Sequence, residues 1–327
     1  MMTTPKMHQL FVTVLTFPLV VQASGGGHWC YSSQNPSCGA DHWKDISHTC
    51  GGEKQSPINI DRSKVKRDTQ LGEIIFHGYN QAPSHRWRLM NDGHSVLLSL
   101  EGEVILGNIN ISGAGLPNTY RALQFHFHWG NPTKDGSEHT MDGKQFPMEL
   151  HIVHMNAKYN SIVDAKKDPQ GLAVLGFFFT VGEVDNPNYN TLVAAMKNVS
   201  LEGDYIDLTS TFPLESLLPP HDKLTRYYRY QGSLTTPDCS EVVIWTVFEQ
   251  PVTISRSQLR ILTDTAHFSA KGESLLKMTD NFRPPQPLNG RKVWASVDAT
   301  ISQSNALSAS IITLCLASLA TTALLLF

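Results

Sequence analysis

The segment Leu123-Gln124-Phe125-His126-Phe127-His128-Trp129 alternates apolar and polar side chains without a break. Successive side chains of a β-strand point to opposite faces, whereas a helix repeats every 3.6 residues, so this pattern specifies a strand with one face in a core. Leu123, Phe125, Phe127 and Trp129 cover that face. Gln124, His126 and His128 share the other, which sets two imidazoles where both can point at one metal ion. Further strand patterns cover residues 95–100, 103–111, 149–155, 172–181 and 241–248, and the alternating run itself extends over 122–129. Helical patterns are fewer and shorter. Residues 191–199 carry Ala and Met at helical spacing, and Ser255 with Gln258 forms a capping box ahead of Leu259 and Leu262. No internal repeat, low-complexity tract or linker interrupts residues 29–297. The chain has 327 residues, a length that by itself suggests about two domains. The pattern instead predicts one mainly β domain with a few short peripheral helices.

A third histidine belongs with the first two. In Glu149-Leu150-His151-Ile152-Val153-His154 the β-branched Ile152 and Val153 favour a strand. His151 then shares its face with Glu149 and Val153, and His154 lies opposite; in a helix His151 and His154 would share a side. The strand reading makes His151 the third candidate ligand. Three neutral imidazoles with one open position form the donor set of a catalytic zinc, whereas structural zinc usually takes four protein ligands, often cysteines. Spacing alone leaves one alternative, a pair of histidines hydrogen-bonded inside a β core. No HExxH, GxSxG, GxGxxG or P-loop string occurs, so protease, lipase, dinucleotide and NTPase chemistry have no signal. With 26 Lys and Arg against 29 Asp and Glu, the chain lacks the basic excess of a nucleic-acid binder.

The two ends carry a different grammar. Residues 1–23 carry Lys6 and His8 near their start, run apolar from Leu10 to Val21, and end in Val21-Gln22-Ala23. A short basic region, an apolar stretch and a small-residue cleavage site make a secretory signal peptide. Residues 311–327 are apolar and uncharged and follow the small polar stretch 298–310. That order predicts a glycosylphosphatidylinositol (GPI) signal, with Ser302 or Ser304 as attachment residue and 303–327 removed. A single-span tail anchor is the alternative, although the run falls short of the roughly 20 residues of a membrane helix. The expected mature domain is 24–302, on the extracellular face of the plasma membrane. Cys315 leaves with the tail, and Cys30, Cys38, Cys50 and Cys239 remain. Four cysteines in a secreted chain predict two disulfides with three possible pairings. The short loop between Cys30 and Cys38 favours Cys30–Cys38 with Cys50–Cys239. Asn110 and Asn198 head glycosylation acceptor triplets.

Seven strings in order, QSPINI (55–60), YRALQFHFHWG (120–130), GSEHT (136–140), ELHIVH (149–154), GLAVLG (171–176), GSLTTP (232–237) and NFRPPQPL (281–288), resemble the α-class carbonic anhydrases over residues 29–297. The cysteine placement and both ends resemble the membrane-anchored, isozyme IV branch of that family. The resemblance implies a single large twisted, mostly antiparallel sheet with one Zn2+ per chain at the base of a conical cleft. It implies reversible hydration of CO2 to bicarbonate and a proton by zinc-activated hydroxide. His126, His128 and His151 match the zinc ligands, in agreement with strand parity. Gln124, Glu149 and the backbone carbonyl of Asn281 match the acceptors that hold the ligands' remaining N–H groups. Glu149 as a fourth ligand would close the open position and is rejected.

Other roles also follow from the resemblance. Thr235 matches the residue that takes a hydrogen bond from the hydroxide and donates one to a buried carboxylate, matched by Glu138. Val153, Val174, Leu234, Thr236, Val243 and Trp245 match the CO2 pocket. His94 matches the proton shuttle and Tyr31 a residue that orders cleft water. Asp92 replaces a common asparagine, and its charge is expected to raise the pKa of His94. The implied partners are CO2 and bicarbonate, and a membrane through the lipid; the protomer is expected to be a monomer that does not bind nucleic acid.

Overall fold

The computed structural model describes residues 28–102, 106 and 108–302. The predicted leader and tail, with Ser304 and Cys315, lie outside these residues. Fourteen strands follow in chain order: β1 (Asn59–Ile60), β2 (Lys66–Arg67), β3 (Ile74–His77), β4 (Trp87–Asn91), β5 (Val96–Leu100), β6 (Asn110–Gly113), β7 (Tyr120–Trp129), β8 (Thr140–Met141), β9 (Met148–Asn156), β10 (Leu172–Gly182), β11 (Tyr205–Asp207), β12 (Tyr227–Gly232), β13 (Val243–Ser255) and β14 (Trp294–Ala295). Twelve of them form one sheet, ordered β11-β4-β5-β7-β9-β10-β13-β12-β14-β2, with β6 joining β3 to β7. β1 and β8 make a separate two-stranded parallel sheet, a small addition to the single sheet expected. Most pairings are antiparallel; β10 with β13 and β14 with β2 run parallel.

Burial tracks position in the sheet. β4 and β5 alternate buried and partly exposed residues along their length, as strands with one covered face do. β9 is buried at every position, and β10 at all but its last three, because both faces of these central strands are covered. On one face lies the larger core, with Phe125, Phe127, Trp129, Leu150, Ile152, Leu175 and Phe177. On the other lies a second apolar cluster that includes Val153, Met155, Val174, Val243 and Trp245. The alternating face of β7 therefore enters the main core, as its sequence predicts.

The helices are α1 (Trp43–Ile46), α2 (Ile162–Ala165), α3 (Asn190–Ala195) and α4 (Arg256–Thr265). α3 continues into a tight turn at Met196–Asn198, which accounts for the pattern over 191–199. The capping box opens α4: Ser255 Oγ accepts from Gln258 N at 3.1 Å, and Gln258 Oε1 accepts from Ser255 N at 3.2 Å. The strand predicted over 103–111 does not form as drawn. Among the described residues the regular ladder starts at Asn110. Leu106 N donates to Ala122 O at 2.8 Å and Ile109 O accepts from Ala122 N at 2.9 Å, but Ile109 N folds back to donate to Leu106 O at 3.0 Å. Gly107-Asn108 is a turn signal inside an otherwise apolar run. Both expected disulfides are present, Cys30–Cys38 and Cys50–Cys239, the latter joining residues 189 apart.

Candidate metal centre

Register brings the three histidines together. His126 of β7 lies directly opposite His151 of β9, and His128 opposite Glu149, so all four side chains share a face. The ring centroids are 4.9 Å apart for His126 and His128, 5.3 Å for His126 and His151, and 4.7 Å for His128 and His151. One nitrogen from each ring lies within 4.8 Å of the others. The opposite nitrogens are each pinned by a different acceptor. His126 Nδ1 is 2.9 Å from Gln124 Oε1, His128 Nδ1 is 2.8 Å from the Asn281 carbonyl, and His151 Nε2 is 2.8 Å from Glu149 Oε1. Each acceptor holds the proton on its side of the ring, leaving Nε2, Nε2 and Nδ1 as lone-pair donors. His128 Nε2 is buried with no hydrogen-bond partner, an orphan that a cation would satisfy. Burial, followed by the neighbouring rings, pushes the His126 pKa well below the usual value, and burial lowers that of His128 as well. These rings are therefore neutral, the form in which imidazole binds metal. The donor set fits Zn2+ and leaves a fourth position free.

Glu149 is engaged from both sides. Its Oε1 accepts from His151 and lies 2.7 Å from His139 Nδ1, while Oε2 accepts from His139 N at 2.8 Å. Burial works against its charge, yet His139 and His151 hold the carboxyl well below the usual carboxylate range. His139, Glu149 and His151 also come within metal-binding distance of one another. Protons already bridge that trio, so it is a hydrogen-bonded support for His151. His139, whose Nε2 lies 2.7 Å from Tyr230 Oη, had no assigned role in the sequence; the adjacent Glu138 drew the attention within GSEHT.

Glu138 is fully buried, with Oε1 accepting from Arg283 N at 2.8 Å. Its Oε2 has no hydrogen-bond partner and lies 3.4 Å from His128 Nε2 and 3.8 Å from His151 Nδ1. The donation from Thr235 implied by the resemblance is not formed in this structure, although Thr235 is buried and the Glu138 acceptor is open. Arg283 was also missed. Its guanidinium spans Gln55 Oε1, Ser56 O and Cys50 O, and burial brings its pKa down to about 10.

The apolar wall forms as a row across the sheet. Val153 of β9 pairs with Val174 of β10, which pairs with Trp245 of β13. Val243 belongs to the same cluster and Leu234 packs on it. Trp245 reaches the histidines, its ring centroid 4.8 Å from that of His151. Thr236 is partly exposed in the loop between β12 and β13.

His94 occupies the turn between β4 and β5, stacked on Trp29 with centroids 3.8 Å apart. Asn281 links this turn to the metal strand: its Nδ2 donates to the carbonyls of His94 and Phe127, and its Oδ1 accepts from Trp129 N at 2.8 Å. The expected rise in the His94 pKa is reversed. Burial lowers it, Asp92 only partly opposes this, and His28 pushes with burial. Asp92 Oδ1 instead accepts from His94 N and Ser95 N, at 2.9 and 2.7 Å, and shapes the turn. Tyr31 is buried near His94, its hydroxyl without a protein partner. Asn198 is exposed and Asn110 partly so.

Residues 38–297 match the eukaryotic-type carbonic anhydrase family. Carbonic anhydrase 15 of Mus musculus is 47% identical over 294 residues, covering 90% of this chain and 90% of that protein. Carbonic anhydrase 4 of Rattus norvegicus is 39% identical over 293 residues, covering 88% of this chain and 91% of its own. Carbonic anhydrase 4 of Oryctolagus cuniculus is 40% identical over 273 residues, covering 82% and 84%.

Proposed function

The chain belongs to the eukaryotic-type carbonic anhydrase family and is a zinc-dependent carbonic anhydrase, and from that premise we propose how its own residues carry the reaction and where it works. The observation that carries the mechanism is the convergence of three imidazoles, each with its second nitrogen pinned by a separate acceptor. His126, His128 and His151 would hold the Zn2+, whose positive charge would lower the pKa of bound water to about 7. Gln124, Glu149 and the Asn281 carbonyl keep the rings aimed. Val153, Val174, Val243, Trp245 and Leu234 form an apolar surface suited to CO2, a small molecule that offers little to hydrogen-bond. The Thr235 hydroxyl would donate to Oε2 of Glu138, a bond not formed in this structure but whose acceptor is open. Its oxygen would then accept from the reacting water and aim it towards that wall, with Thr236 at the edge. Hydration of CO2 gives bicarbonate and one proton. His94, stacked on Trp29 at the turn between β4 and β5, passes that proton on to solvent. Burial lowers its pKa, which favours release of the proton once it is taken up, and Tyr31 orders the intervening water. Replacing Thr235 by Ala is expected to lower kcat/KM by about 10²-fold with zinc content unchanged. A variant as active as the parent would remove Thr235 from the mechanism.

We also propose that residues 24–302 form a secreted monomer, glycosylated at Asn110 and Asn198 and held outside the cell by a GPI lipid at Ser302 or Ser304. The reading is supported by the order of the C-terminal sequence, a small polar stretch at 298–310 followed by the apolar, uncharged run 311–327. Thr300 N donates to Glu249 Oε2 and Ser302 N to Arg62 O, so the chain is still held to the domain at these residues. Phosphatidylinositol-specific phospholipase C is expected to release the activity from intact cells; activity that stays on the cells would favour a spanning tail.

A further inference from the structure

Residues 233–242 present Leu234, Thr235 and Thr236 between β12 and β13, and this loop is held from two sides. On one side, Cys239 is bonded to Cys50, Gln55 Nε2 donates to Cys239 O at 3.2 Å, and the hydroxyls of Thr49 and Ser47 donate to Asp238 O. On the other, Lys166, the residue after α2, donates from Nζ to Asp238 Oδ2 at 2.8 Å. Asp238 Oδ1 accepts from Ser240 Oγ at 2.8 Å. The carboxylate thus sits inside the turn closed by Cys239 N donating to Thr236 O at 2.8 Å, and Ser240 O accepts from Leu234 N at 3.0 Å. Any shift of Asp238 passes to both ends of segment 234–236.

The far end of the ion pair is equally well placed. Ala165 of α2 is buried in the apolar cluster of Val153, Val174, Val243 and Trp245, and Ile162 packs against it. Lys166 therefore joins the helix that backs the CO2 wall to the loop that carries the threonines. We propose that Lys166 and Asp238 are positioning residues for hydration, their ion pair setting Thr235 and Thr236 against that wall. The proposal rests on the role given above to Thr235 and adds the side chains that aim it. The side chains are 25% and 46% exposed, and pairs this exposed contribute little to global stability. Their effect belongs in the reaction.

The test compares zinc-loaded wild type with Asp238→Asn, Lys166→Met, the double variant, Asp238→Glu and Thr235→Ala. Misplacement of the threonines by a fraction of an ångström is expected to lower kcat/KM for CO2 roughly 3–10-fold in each single variant. Maximal turnover, limited by proton export, zinc content and melting temperature stay unchanged. The double variant is expected to lose no more than the worse single one, as coupled residues do, and Asp238→Glu to recover most of the loss. In the zinc-free protein, amide exchange at Thr235 and Thr236 is expected to quicken in Asp238→Asn. Wild-type kcat/KM and exchange in the single variants, beside a crippled Thr235→Ala, would overturn the positioning role and leave Thr235 in place. Additive losses in the double variant would overturn the pairing. A fully active Thr235→Ala would remove the reading beneath the proposal, and the proposal with it.

Discussion

The histidine centre and the rim above it are built by opposite means. The centre lies on β7 and β9, adjacent strands in the middle of the sheet, where one register relation sets the three candidate ligands and two of their three acceptors. The rim, with His94 on one turn and Thr235 on one loop, is held by contacts that reach far along the chain: Trp29 under His94, Asn281 to the His94 carbonyl, Cys50 to Cys239, and Lys166 to Asp238. Strand pairing fixes a geometry many residues deep, and each side chain in it is redundant with its neighbours except the ligands themselves. A loop depends on a few separate struts. Losses at the centre should therefore appear first as lost metal, and losses at the rim as lost rate with the metal retained.

The largest effect tests the centre. His151→Ala removes a ligand from a pair of strands that otherwise stay packed, so zinc content is expected to fall from about one per chain to near zero and hydration to background. Metal retained at full stoichiometry, read by atomic absorption, would mean that parity chose the wrong histidine. Next comes the rim. His94→Ala is expected to cost about 10²-fold in maximal turnover, with zinc content and kcat/KM for CO2 little changed, and added imidazole is expected to restore part of the loss. A fall in kcat/KM without rescue would erase the distinction between rim and centre.

A third prediction probes the opposite face of β9. His154 is fully buried, its Nδ1 donating to the Ile152 carbonyl and its Nε2 taking the Tyr79 hydroxyl at 2.6 Å. Burial lowers its pKa to about 3, against about 6.5 in the unfolded chain. Below pH 6.5 the unfolded chain binds this proton and the folded one does not, so stability is full above that pH and falls on acidification towards pH 3. From pH 6.5 to pH 5 the loss is about 2 kcal/mol. Urea unfolding of the zinc-free protein should show it, and His154→Asn should flatten the slope; equal slopes would show that His154 does not drive the acid response. The smallest effect is at Gln124, a neutral and partly exposed acceptor for His126. Gln124→Ala is expected to weaken zinc affinity about tenfold by competition with a chelator, and no change would mean that β7 alone aims the ring.

The same contrast decides what the sequence reveals. Ligands at i and i+2 on an alternating strand can be read directly, and so can the parity that puts Glu149 beside His151. The apolar row Val153, Val174 and Trp245 has no local signal beyond that of core; only the family resemblance assigns it to the CO2 pocket, and pairing sets it next to the histidines. His139 and Arg283 gave no local signal, because their meaning comes from Glu149, Tyr230, Glu138 and Gln55, groups brought together only by folding. Lys166 and Asp238 are 72 residues apart, and nothing in either neighbourhood names the other. Asp92 was misjudged for a related reason: its charge was visible, whereas the burial that outweighs it at His94 was not. Residues 103–111 are apolar enough to suggest a strand, but the sequence Gly107-Asn108 within them is a turn signal.

The central claim is that the three pinned imidazoles hold the zinc that makes this chain hydrate CO2. The direct measurement is stopped-flow CO2 hydration on the protein as isolated, after zinc removal, and after Zn2+ is returned. Hydration that falls to background on removal and recovers in proportion to zinc bound, in wild type and not in His151→Ala, is the predicted result. A zinc-replete domain no faster than background, or one that keeps its rate after the metal is gone, would contradict it.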